Sequence, residues 1–250
     1  MNLFRRMLSF AFVLALAAGG ALAQVYPSKP VKVIVPFAPG GGADIVARLV
    51  CQQLSQRLGQ PFVVDNRGGA GGIIGADLVA KAPADGYTLL LGQSGPNVLN
   101  PNLYAKLPYD AIRDFAPITQ ATLYPYVIAV HPSVPARNLK ELIALAKAKP
   151  GAVSYGTAGT GSSAHLAGEL FARQLGIRLN HIPYKGAGPA LADTVAGQVD
   201  MLFGDAASAT QQAKAGRIRA LAVTGSVRSP LIPEVPTAAE AGVPGYEATA

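Results

Sequence analysis

Val31-Lys32-Val33-Ile34-Val35-Pro36-Phe37-Ala38-Pro39-Gly40-Gly41-Gly42-Ala43-Asp44 passes from a short apolar run, through a glycine-rich turn, into a helical pattern. Val31 to Val35 reads as a strand and Ala43 to Leu58 as a helix ended by Gly59. The same alternation continues with a strand at Phe62–Val64, a helix at Ile73–Ala82 and a strand at Thr88–Leu91. A βαβαβ order implies a parallel sheet covered by helices on both faces. Asn97 to Pro117, holding Pro101, Pro108 and Pro117, reads as a long irregular connection.

A second series starts at Tyr126–Val130. Asn138 and Glu141 have capping-box spacing ahead of the stripe Leu139, Leu142, Ile143, Ala146, and Pro150-Gly151 stops that helix. Strands follow at Val153–Tyr155, Leu179–Ile182, Met201–Phe203 and Ala220–Val223. Helices are expected at Ser162–Leu175, near Pro189–Ala196 and Ala206–Ala215, with a short one at Pro236–Ala241. Two α/β units therefore meet near residues 117–126. We place the first lobe at 24–122, the second at 123–245, and the start of a return strand at 246–250.

Composition narrows the class. The 250 residues are 50% hydrophobic and 14% charged, too apolar and too weakly charged for a disordered chain. Arg5 and Arg6, the apolar run Leu8–Leu16, Gly19-Gly20 and Ala21-Leu22-Ala23 form a secretory signal pattern with cleavage after Ala23. The apolar run is short for a membrane span. Without Arg5 and Arg6 the formal charge falls from +7 to +5, and the remaining basic residues are scattered, which argues against nucleic acid as a partner. The single cysteine, Cys51, lies on the helical stripe Ala47, Val50, Cys51, Leu54, Leu58 and reads as a buried structural thiol.

Two glycine loops, Pro36–Asp44 and Tyr155–Ser163, each join a strand to a helix. Glycine lets amides turn outward, and a helix N-terminus adds unsatisfied donors at the positive end of its dipole. One such loop in each half points to an anion held between them. The second loop fits G-x-G-x-x-A at Gly159, Gly161 and Ala164, but Arg178–Pro183 lacks the acid a nicotinamide site needs. The first lacks the Gly-Lys-Ser/Thr ending of a triphosphate loop. Ser94 resembles a hydrolase elbow spoiled by Pro96, and a Ser94–His165 pair is the rival, enzymatic reading. Three scattered histidines do not suggest a metal site, and no cofactor is expected. Tyr184 and Lys185 after one strand, and Asp205 after another, stand where open α/β sheets hold ligands.

The ordered set Tyr26–Val31, Pro36–Asp44, Asp65–Gly72, Ala84–Thr88, Leu107–Asp110, Asp114–Pro117, Tyr155–Leu166, Pro183–Gly186 and Pro236–Gly242 resembles the TctC, or Bug, solute receptors of tripartite tricarboxylate transporters. The resemblance implies a type II-like two-lobed periplasmic binding protein, each lobe a mostly parallel sheet flanked by helices. It implies a non-enzymatic, monomeric receptor for a small organic acid or amino acid, with the transporter's membrane subunits as partners; a ligand sensor would use the same fold. Carried onto this sequence, the binding residues are Phe37, Ala38, Gly40, Gly41 and Asp44 from the first loop. The second contributes Thr157, Gly159, Gly161, Ser162 and His165, and Ser94, Asn97, Tyr184 and Asp205 complete the set. Pro96-Asn97 and Gly204-Asp205 depart from the family's usual residues, so a ligand identity does not transfer. The family is also longer at its C-terminus, where the chain crosses back, so part of the first lobe is expected to be missing.

Overall fold

The structure, a computed structural model, describes residues 26–250. The signal pattern and the Ala23 cleavage site lie outside the described residues. In the first lobe, β1 (Val31–Val35), β2 (Phe62–Asn66) and β3 (Thr88–Leu90) form a parallel sheet in the order β2-β1-β3. β1 is central and buried at Val31, Val33, Ile34 and Val35, which explains its nearly unbroken apolar run.

Helices α1 (Gly42–Leu58) and α2 (Ile73–Ala80) connect these strands. Gly59 ends α1 in the left-handed conformation at φ 69°, its N–H returning to the Ser55 carbonyl. Ala43, Ala47 and Cys51 are the buried stripe of α1, whereas Val50 and Leu58 stay largely in solvent. The reason is length for Leu58: 17 helical residues span about 25 Å, and a five-residue strand about 17 Å. The stretch after β3 is not wholly irregular. A π turn at Gly95–Leu99 runs into helix α3 (Asn100–Leu103), because Pro101 sits in the first turn, where its missing N–H costs nothing.

The second lobe is a five-stranded sheet in the order β6-β5-β7-β4-β8. Its strands are β4 (Tyr126–Val130), β5 (Ser154–Thr157), β6 (Asn180–Pro183), β7 (Met201–Asp205) and β8 (Arg219–Val223). Four run in one direction, and the wholly buried β4, between β7 and the edge strand β8, runs against both its neighbours. Alternation along β4 feeds two cores: Tyr126, Ile128 and Val130 join Tyr155, Phe171 and Phe203, while Val127 and Ala129 join Leu191 and Leu202. The helices are α4 (Leu139–Ala148), α5 (Ser163–Leu175), α6 (Ala187–Val195) and α7 (Ala206–Lys214).

The α4 cap follows its sequence signal with one change. Asn138 Oδ1 accepts Glu141 N–H, but Glu141 returns its carboxylate to Arg137 N–H and the Asn138 amide. Pro236–Ala241, expected as a short helix, is a single turn held by Thr237 and Glu240 capping each other's amides. Tyr246 is buried in the second lobe's core, with its hydroxyl on the Ala167 carbonyl. Tyr124 and Ala250 exchange two backbone hydrogen bonds of 2.9 Å, so residues 246–250 run antiparallel beside the segment entering β4.

Candidate functional site between the lobes

Parallel strands deliver their C-terminal ends to one edge, where an open α/β sheet binds its ligand. The ends of β1 and β3 in the first lobe face the ends of β5 and β7 in the second. Between them lies a cavity of about 20 Å³, lined by Phe37, Ala38, Gly41, Ala43, Gln93, Tyr124, Tyr126, Ala158, Ser162, Ser163, Ala164, Ala187 and Asp205. The N-terminus of α1 borders it through Gly41 and Ala43, and that of α5 through Ser162, Ser163 and Ala164.

The caps determine which amides remain for a guest. Ser162 Oγ accepts His165 N–H at 3.3 Å and the Ser162 carbonyl accepts Leu166 N–H. Ser163 and Ala164 of that first turn line the cavity, and a helix start ordinarily leaves amide donors unbonded there. On α1 the N-cap is Gly41. Asp44 sits behind the loop, accepting Gly40 N–H at 3.1 Å and Arg48 Nε at 3.0 Å. Burial opposes its charge, but Arg48, Gly40 and Asn66 outweigh that and hold its carboxyl below the usual range.

Asp205 is the one carboxylate among the lining residues. Its Oδ2 accepts Gly42 N–H at 2.8 Å across the lobes, and its Oδ1 accepts the Tyr124 hydroxyl at 3.3 Å. Burial pushes its pKa up, and those two donors oppose the rise. A second cross-lobe bond joins Ala38 N–H to the Lys185 carbonyl at 2.9 Å. Close backbone approach does the rest: a Cβ on Gly71 would meet the Thr160 carbonyl, and one on Gly188 the Pro39 carbonyl.

Of the residues read from sequence, Phe37, Ala38, Gly41, Ser162 and Asp205 line the cavity. Ser94 and Asn97 line an adjoining space of about 410 Å³ that shares Ala43, Gln93 and Tyr124 with it. The Ser94–His165 pair does not form. Ser94 Oγ is buried without a hydrogen-bond partner, while His165 Nδ1 accepts Gly161 N–H at 3.4 Å and its Nε2 lies 3.9 Å from Glu169. Thr157, Gly159 and Gly161 of the second loop, and His165 beside it, do not line the cavity: Thr157 Oγ1 accepts Gly159 N–H, and Gly161 packs against Asn100. Gly40 gives its amide to Asp44, and the Tyr184 hydroxyl is held by Asp193 at 2.7 Å.

Gln93, Tyr124, Tyr126 and Ser163 also line the cavity, although none was expected there from sequence. Tyr124 and Tyr126 are two apart at the entrance to β4, so strand alternation was a usable signal that both face one side. Tyr126 donates its hydroxyl to Ser163 Oγ at 2.8 Å.

Residues 46–250 match the tripartite tricarboxylate transporter family receptor. The chain belongs to that family. Solved structures of similar fold include the periplasmic binding protein BugD, 39% identical with a TM-score of 0.86, covering 90% of this chain and 75% of BugD. The R. palustris protein Rpa4515 with adipate is 40% identical with a TM-score of 0.87, covering 90% of this chain and 75% of that one. MatC from Rhodopseudomonas palustris with bound malate is 35% identical with a TM-score of 0.85, covering 90% and 76%. This receptor is thus a two-lobed periplasmic solute-binding protein of the TctC/Bug type.

Proposed function

We propose that this receptor captures a small carboxylate anion between its lobes and delivers it to the membrane subunits of a tripartite tricarboxylate-type transporter. The observation that carries the reading is the convergence of two helix N-termini, α1 from one lobe and α5 from the other, on one cavity. Each presents amide donors and a positive dipole end, which favour an anionic guest without a cationic side chain, while the buried Asp205 carboxyl in the same wall opposes it. Adipate and malate in the two neighbours are dicarboxylates, which agrees with this donor set.

The space of about 20 Å³ between the two helix starts holds little more than one water-sized occupant, and it adjoins the larger space lined by Ser94 and Asn97. A dicarboxylate that is to touch both helix starts enters by parting the lobes. Parting releases Ala38 N–H from Lys185 and Gly42 N–H from Asp205. A carboxylate that touches both lobes then favours the closed arrangement, because only there does it meet both donor sets. A charge-assisted hydrogen bond contributes about 1.5–3 kcal/mol, roughly tenfold or more in affinity per donor.

Calorimetry with malate, adipate and their diamides tests this directly. The acids should bind and the diamides should not; equal heats from acid and diamide, or none from any acid, would remove the carboxylate site. For delivery, membrane subunits should be retained by the malate-loaded receptor and not by the protein alone. N-terminal sequencing of the periplasmic form should begin at Gln24.

A further inference from the structure

Behind the second glycine loop His165 and His181 stack face to face, with ring centroids 4.1 Å apart and planes inclined by 26°. His165 projects from the first turn of α5 and His181 from β6. Each ring touches the loop. His165 Nδ1 accepts Gly161 N–H at 3.4 Å, and His181 Nε2 lies 2.6 Å from Thr157 Oγ1, the oxygen that accepts Gly159 N–H at 3.2 Å. Gly159 and Gly161 have φ of +124° and +81°, so the loop occupies a backbone shape that its neighbours must hold in place.

We infer that His165 and His181 are a positioning pair that keeps the second glycine loop in its binding shape only while both rings are uncharged, so that acid loosens the grip on the anion. The tautomer follows from the geometry. His165 Nδ1 receives an amide proton and is the bare nitrogen, which puts the ring's own proton on Nε2, toward Glu169. A second proton on His165 removes the only acceptor this ring offers Gly161. A proton on His181 turns both its nitrogens into donors and commits Thr157 Oγ1 to the ring.

The groups facing the stack decide how far this goes. Glu169, on the same helix as His165, lies 3.9 Å from it and already accepts the Tyr155 hydroxyl from β5 at 2.5 Å. Thr157 from β5 and the ring of Tyr155, 5.0 Å from His181, bring no charge. One carboxylate can offset one imidazolium; the second would stand against a like charge in the stack. Burial lowers both imidazole pKa values, and the charge of His165 helps push His181 down to about 4 against the pull of Glu169. The two rings therefore titrate as a pair.

The chain holds only three histidines, and His131, at the opposite end of β4 and bonded to Ser133, is an internal reference. With histidine carrying ¹³C at Cε1 and glycine carrying ¹⁵N, the protein is followed by NMR from pH 8 to 4. The His165 and His181 resonances should move in two coupled steps below pH 6.5, and the Gly159 and Gly161 amides should move with them. His165→Asn keeps an oxygen acceptor that does not titrate, so its Gly161 amide should hold still. His181→Gln gives the same comparison for Gly159 should His165→Asn fail to fold. A Gly161 amide that ignores pH in the wild type, or moves equally in His165→Asn, overturns the proposal.

The affinity consequence rests on anion capture by this loop; the loop's own response to acid does not. Calorimetry with malate at pH 7.5 and 5 compares wild type and His165→Asn at each pH, so the ligand's own titration cancels. The ratio should shift toward the variant at pH 5. An unchanged ratio overturns the link to binding. Failure of both proteins to bind malate at either pH would instead count against the proposed function, with the NMR titration still deciding the loop.

Discussion

Asp205 combines two roles that pull against each other. Its carboxylate is buried, which disfavours charge, yet it is the acceptor that ties Gly42 N–H and the Tyr124 hydroxyl to one point. Asp205→Ala should destabilise the protein by about 1–3 kcal/mol in chemical denaturation, because both donors are left buried without an acceptor. Asp205→Asn keeps an acceptor and discards the charge. The folded-state pKa of Asp205 is raised, so its contribution is fully present below the unfolded value of 3.8 and is lost as pH rises through the folded one. The stability of Asp205→Asn relative to wild type should therefore improve as pH rises from 4 toward neutrality. A difference independent of pH would mean that Asp205 is no harder to ionise folded than unfolded.

The two helix starts show how much of the site can be read from local sequence. Ser162 followed by Ser163-Ala164-His165 was legible as a cap, because capping depends on residues within one turn. Strand and helix alternation was legible for the same reason, since period and glycine stops are local signals. The Gly42–Asp205 bond, 163 residues apart, was not, and neither was the engagement of Ala38 with Lys185. Such pairings are set by how the two lobes meet, which no local period encodes. Gly159 and Gly161 show the cost: their amides were read as ligand donors, but Thr157 and His165 hold them.

Comparing two caps separates a helix's stability from its role in the site. Asn138, which does not line the cavity, caps α4 through Glu141 N–H at 2.9 Å, as Ser162 caps α5 through His165 N–H. Ser162→Ala and Asn138→Ala should each cost about 1 kcal/mol in urea denaturation. Only Ser162→Ala should also weaken malate binding, since it alters a residue of the cavity wall. Equal malate affinities in the two variants would show that the α5 start does not touch the ligand.

Closure of the whole molecule depends on backbone meeting backbone. Gly188 lies in the first turn of α6, and a methyl group there would run into the Pro39 carbonyl of the opposite lobe. Its φ is not in the left-handed region, so alanine fits the helix itself and improves its propensity by up to about 1 kcal/mol. Gly188→Ala therefore separates two properties that most substitutions confound. The second lobe should fold at least as well as in the wild type, while the lobes are kept from meeting. In small-angle scattering with saturating malate the wild type should be more compact than Gly188→Ala, and calorimetry should find the variant's affinity at least tenfold lower. A variant that binds malate as tightly as wild type would show that the anion is held by one lobe alone, because a guest that needs both helix starts cannot be indifferent to a wedge between them.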